Sequence, residues 1–189
     1  MSTIEDLADH IASSIASNKL EQLTTLLAHP LAQDVMRMNS GSCLRLACVK
    51  NRLDFIDVLV EYCGDQEIGG ALHFCLTNLR LKSFDRIVQH KPHSGAYMAV
   101  TTLDLLLDLH TTRLKTFESP FRLQALERFL DWVPQTHIDQ GLDVTLNYCR
   151  SDPSKIRRID AFDTLVAQRQ KQRLEQEVNV GQRSVVRKI

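Results

Sequence analysis

The chain has 189 residues, 43% of them hydrophobic, enough for one domain of ordinary size with a continuous core and no help from a membrane. Lys plus Arg and Asp plus Glu both number 23, so no chain-wide field draws the protein onto nucleic acid or an anionic membrane. The cysteines, Cys43, Cys48, Cys63, Cys75 and Cys149, are odd in number and lack the spacing of a disulfide framework or a paired CxxC zinc site, which fits a reducing compartment.

The opening MSTIEDLADH is acidic with no basic n-region, and no apolar stretch approaches the roughly 18 residues of a membrane span. A cytoplasmic location is expected, in a host cytosol if the protein is a secreted effector. Glycine and proline then punctuate segments of helical rather than alternating periodicity. A helix is expected over 4–16, followed by one anchored on Leu20, Leu23, Leu26 and Leu27. After Pro30 and Gly41 the same order returns, with a helix over 42–50 and one anchored on Leu53, Ile56, Leu59 and Val60. Gly64, Gly69 and Gly70 read as a break, followed by helices over 70–78 and on Leu81, Phe84, Ile87 and Val88. Beyond Pro92 and Gly95 come 96–111, an insertion near Leu114 to Glu118, and a helix opened by Ser119 and Pro120 with anchors Leu123, Leu126, Phe129 and Leu130. A fifth pair is expected from 139–150 and, after Asp152 and Pro153, from Ile159, Phe162, Leu165 and Val166.

Every anchor set has the spacing i, i+3, i+6, i+7, one apolar stripe on a helix. No pair can bury its stripe alone, so neighbouring pairs are expected to stack and share a core. The fold class expected is all-α, stacked helix-turn-helix pairs. Its domain would cover 1–168, with 169–189 as a basic helical extension or disordered tail.

The second and third units, SCLRLACVKNRLDFIDVLVEY and GALHFCLTNLRLKSFDRIVQH, resemble ankyrin repeats. Leu44, Leu46 and Ala47, then Leu72, His73, Phe74 and Cys75, stand where that family has TPLHLAA. The Thr-Pro pair is missing, Asn51-Arg52 and Leu79-Arg80 replace the turn glycine, and the GAD hairpin survives only as Gly64-Asp65. The resemblance implies an ankyrin-like α-solenoid, a structural hydrogen-bonding role for His73 tying hairpin to helix, and a concave recognition surface without chemistry. Carried over by position, that surface includes Arg45 and the loop residues Met38, Asp65, Gln66, His93 and Tyr97. HEAT-like solenoids and globular helical bundles remain alternative architectures.

Chemistry has little support in the residues. Cys48 and Cys75 take small-residue positions and read as buried, inert thiols; Cys43 sits at a helix start, where the dipole can lower a thiol pKa, without an adjacent histidine. His90 and His93 are separated by Pro92 and lack a second cluster, so no metal is expected. The seven glycines form no phosphate loop, so no nucleotide or other cofactor is expected. The function expected is therefore a non-catalytic protein-interaction module, with a secreted bacterial effector as one form of it. Two alternatives stay open: an acidic partner, nucleic acid or membrane surface met by the basic stretch from Arg169 to Ile189, and a Cys/His enzyme using Cys43 or His110.

Overall fold

A computed structural model describes residues 3–38, 41–92, 94–107, 120–133, 163–168, 170–172 and 174–175. Among the described residues there are helices and no strands. They are α1 (Ile4–Ala16), α2 (Leu20–Leu27), α3 (Ala32–Arg37), α4 (Ser42–Val49), α5 (Leu53–Leu59), α6 (Asp65–Thr77), α7 (Leu81–His90), α8 (Ala99–Leu107) and α9 (Pro120–Trp132). Short 3-10 turns, Val60–Tyr62 and Ala96–Met98, end α5 and lead into α8. The chain divides into two compact units, Met1–Asp143 and Val144–Ile189. In the second, residues 163–168 are helical.

Within the first unit the helices pair as the anchor pattern predicts. α1 packs on α2, α4 on α5, α6 on α7 and α8 on α9. The first helices neighbour one another in the order α1, α4, α6, α8, and the second helices in the order α2, α5, α7, α9. Each first helix buries one stripe, Leu7, Ile11 and Ile15 on α1, Leu44, Ala47 and Cys48 on α4, and Ile68, Leu72, Cys75 and Leu76 on α6. Neighbouring helices therefore hide one another's stripes, which is how units too small for a core of their own gain one.

One turn recurs three times. Asn18, Asn51 and Leu79 all take positive φ, at 59°, 53° and 55°. In each case that residue's N–H reaches the carbonyl three residues back and the next N–H reaches five back, as in Lys19 to Ser14 (2.9 Å), Arg52 to Ala47 (3.0 Å) and Arg80 to Cys75 (2.7 Å). This is a Schellman closure, which satisfies the last carbonyls of the first helix and aims the chain into the second. Left-handed backbone costs an L-residue about 1–2 kcal/mol, less for asparagine, whose side chain bonds locally. Asn51 is exposed, so a substitution there reads the backbone cost with little packing change. Asn51→Ala should lower stability by about 1 kcal/mol and Asn51→Gly should leave it within a few tenths, measured by urea midpoints.

Several boundaries differ from expectation. The link between the first and second pairs holds α3, whose Ala32, Val35 and Met36 are buried against its neighbours. The helix expected over 70–78 starts at Asp65, so Gly69 and Gly70 lie inside α6 instead of breaking it. Glu67 makes that early start possible, because its carboxylate accepts the Gly64 N–H at 2.9 Å and covers an orphan donor. The insertion near Leu114 to Glu118, the Asp152-Pro153 start and most of the fifth pair lie outside the described residues. Pro120 does open α9, at the turn where its missing N–H costs nothing.

Candidate functional site: the first-helix layer and its loops

The second helices are held in register by a repeated ion pair. Arg86 on α7 meets both oxygens of Asp57 on α5, at 2.5 and 2.6 Å. Arg128 on α9 meets both oxygens of Asp85 on α7, at 2.6 and 2.9 Å. Asp57 and Asp85 are equivalent positions in the anchor alignment, as are Arg86 and Arg128. His90 adds a contact to Asp57 at 2.9 Å, and Lys91 one to Glu61 at 3.6 Å. These groups tie the second-helix layer together across α5, α7 and α9.

The Arg86 hydrogen bonds hold the Asp57 carboxyl below the usual carboxylate range, with His90 adding to the effect. A carboxyl whose pKa falls on folding contributes stability that is present above its unfolded value, near 4, and is lost as pH falls through the folded value. Asp57→Asn should therefore flatten the loss of stability below about pH 4, and in a double-mutant cycle with Arg86→Gln the two changes should be less than additive at pH 7. Both are read from denaturant unfolding.

The first-helix layer has a repeated outward face. Counted back from the left-handed turn residue, α4 exposes Arg45, Leu46 and Val49 where α6 exposes His73, Phe74 and Thr77, all half-buried except Val49 at 40% exposed. Arg45 and His73 are thus the same repeat position in consecutive helices. His73 Nδ1 lies 2.9 Å from Thr102 Oγ1 on α8, and the Thr102 hydroxyl donates to Met98 O at 2.7 Å. The hydroxyl's proton being committed, His73 Nδ1 carries the hydrogen and donates to Thr102. Its structural bond therefore joins two first helices instead of a hairpin to a helix. Burial first, and the Arg45 charge second, hold the His73 imidazole below its ordinary pKa.

A second cluster gathers three of the residues expected at the surface. Asp65 and Gln66 lie in the first turn of α6, not in a loop, and Tyr97 packs against them from the 3-10 turn before α8. The Asp65 carboxylate accepts the Gly95 N–H at 2.6 Å, and the Tyr97 hydroxyl donates to Gln66 O at 3.0 Å. Gly95, at φ 73°, stands directly against Gly69 on α6, so the two backbones touch where any side chain would intrude. Asp65, Gln66 and Tyr97 therefore clamp the chain's return to α6, while Tyr97 as a whole remains 52% exposed. Met38, half-buried, follows α3 and is not brought to either cluster, and His93 lies outside the described residues. The residues that sequence reasoning missed on the face, Leu46, Val49, His73 and Phe74, become legible once Arg45 and His73 are aligned on their turns.

The described cysteines are reduced, with Cys43, Cys48 and Cys75 buried. Burial raises the Cys43 thiol, and a hydrogen bond with Ser42 acts in the other direction without reversing it. Burial, then Glu67, push Cys63 up to about 12. Cys75 is raised by its hydrogen bond with Cys48 and by burial. Cys149 and His110 lie outside the described residues. Among the described residues no group of three or more His, Cys, Asp or Glu side chains can hold a metal ion, and no helix is long and apolar enough to cross a membrane. Compared with known proteins, the chain matches no family model, no curated protein and no solved structure.

Proposed function

We propose that the chain is an ankyrin-like helical array that binds a protein partner through its first-helix layer and performs no chemistry itself. The observation that carries this reading is the repeated outward face, in which Arg45, Leu46 and Val49 on α4 and His73 and Phe74 on α6 offer apolar area beside polar groups at matching positions. Interfaces of ordinary strength are built from such mixtures, an apolar centre with a few placed polar groups. The frame behind the face is fixed by three identical turns and two Asp–Arg clasps, so little ordering remains to be done on binding.

The basic stretch from Arg169 to Ile189 supplies the competing reading, because contacts to phosphate or acidic surfaces weaken steeply with salt. Affinity capture with the full-length protein and with Arg183, Arg187 and Lys188 changed to glutamine separates the two. The array reading predicts the same protein retained by both at low and moderate salt. Capture that disappears with the glutamine variant or with moderate salt would transfer the function to the basic end.

A further inference from the structure

The first three helix pairs turn at one edge of the first unit, since α1, α4 and α6 lie in sequence side by side and each is closed by the same left-handed turn. The second and third turns meet directly, the Ser83 hydroxyl of α7 reaching Cys48 O of α4 at 3.5 Å. The residue after the left-handed one is a cation each time, Lys19, Arg52 and Arg80. Helices packed side by side stand about 8–10 Å apart, so these charges form a row with steps of about 10 Å. Lys50 and Lys82 add to the same turns, against Glu21 and Asp54 in the first turns of α2 and α5. The edge is therefore positive within a chain of zero net charge.

The row is not spent on the fold. Arg86 and Arg128 each take an aspartate from the neighbouring helix, whereas among the described residues Lys19, Arg52 and Arg80 make no ion pair. Lys19 and Arg80 are exposed, while Arg52 is half-buried with its Nε enclosed and without an acceptor. A charge partly withdrawn from water attracts a carboxylate more strongly than an exposed one, and a guanidinium can receive it through two N–H groups. Arg52 is thus the anchor of the row.

We propose that this edge binds an extended acidic peptide segment with carboxylates three residues apart, one on each of Lys19, Arg52 and Arg80, at a site independent of the first-helix face. An extended chain rises about 3.3 Å per residue, so every third side chain matches the step between turns. Exposed Asn18 and Asn51 stand beside the cations and can pair with the peptide backbone between them. A nucleic-acid strand fits less well. Its phosphates, one per about 3.4 Å of rise, would also meet Glu21 and Asp54, and Asn18–Glu21, Asn51–Asp54 and Leu79–Lys82 offer no aromatic ring for a base to stack on.

The test titrates the full-length protein with an acetylated trimer of Glu-Ser-Gly, with a peptide of the same composition whose glutamates adjoin, and with dodecathymidylate. NMR follows the backbone amides of Lys19, Arg52 and Arg80 at low and moderate salt. The expected result is a salt-sensitive shift of all three amides, with the spaced peptide binding more tightly than the other two probes. Affinity for it should fall roughly threefold in Arg80→Gln and roughly tenfold when Arg52→Gln is added, and hold when Arg183, Arg187 and Lys188 are changed to glutamine. Arg80→Gln changes an exposed side chain, so it keeps the test decisive if the Arg52 change disturbs folding. Unmoved amides at low salt, full affinity in a folded Arg80→Gln, or binding lost with the C-terminal glutamines would overturn the proposal. Equal binding of the adjoining glutamates, or tighter binding of dodecathymidylate at these turns, would overturn it too. None of these outcomes bears on whether the first-helix face binds a protein.

Discussion

Gly95→Ala is expected to lower stability by about 2–4 kcal/mol, as the sum of a left-handed backbone cost and an overpacking cost. Gly95 sits at φ 73°, and a Cβ there would overlap the Gly69 backbone, which belongs to a helix and has no rotamer to yield. The mirror change, Gly69→Ala, would place its Cβ 2.8 Å from Tyr97 Cε1 and 2.9 Å from Gly95 Cα. Alanine normally gains about 1 kcal/mol over glycine inside a helix, so a net loss at Gly69 would show that the contact with the incoming chain outweighs helix propensity. Urea unfolding followed by circular dichroism reads both, and a neutral or stabilising Gly69→Ala would contradict the close approach.

Trp132→Ala is expected to cost about 3–5 kcal/mol, the usual range for deleting a large aromatic from a core. Trp132 is 2% exposed and meets Phe84 of α7 and Phe129 of its own helix edge to face, with ring centroids 6.0 and 6.2 Å away. Its indole N–H also donates to Ser94 O at 3.0 Å, tying the end of α9 to the chain that leads into α8. Trp132→Phe should cost less, about 1–2 kcal/mol, because it keeps most of the packing and leaves the Ser94 carbonyl short of a donor. Equal losses for the two substitutions would assign the effect to the hydrogen bond instead of the cavity.

The helix pairs were readable because each second helix carries a full apolar stripe, and the turns were half readable. Asn18 and Asn51 advertise a left-handed residue, whereas Leu79 gives no such signal and takes that conformation because the packing of α6 and α7 fixes the same closure. α3 has no signal in the sequence because six residues, AQDVMR, are too few to show a period. The start of α6 was hidden by Gly69 and Gly70, which read as breakers from sequence while one of them serves a backbone contact. The true start carries only half of a capping box, since the Glu67 carboxylate takes the Gly64 N–H while glycine has no side chain to return the bond.

The candidate face was less legible than the frame. Carrying over family positions placed Arg45 on the outward face, but assigned Asp65, Gln66 and Tyr97 to free loops when their polar groups close the junction between α6 and α8. Exposure and hydrogen bonding are tertiary properties, and a chain position alone does not separate a group offered to a partner from one spent on the fold.

The most direct test of a binding role for the first-helix layer compares two full-length surface variants for retention of a captured partner. Val49→Asp puts a charge on the outward face of α4, and Lys82→Glu puts one on exposed α7 in the other layer. Loss of the partner with Val49→Asp and full retention with Lys82→Glu, both variants folded, is the result predicted. Retention with Val49→Asp and loss with Lys82→Glu would contradict the account and move recognition to the second helices.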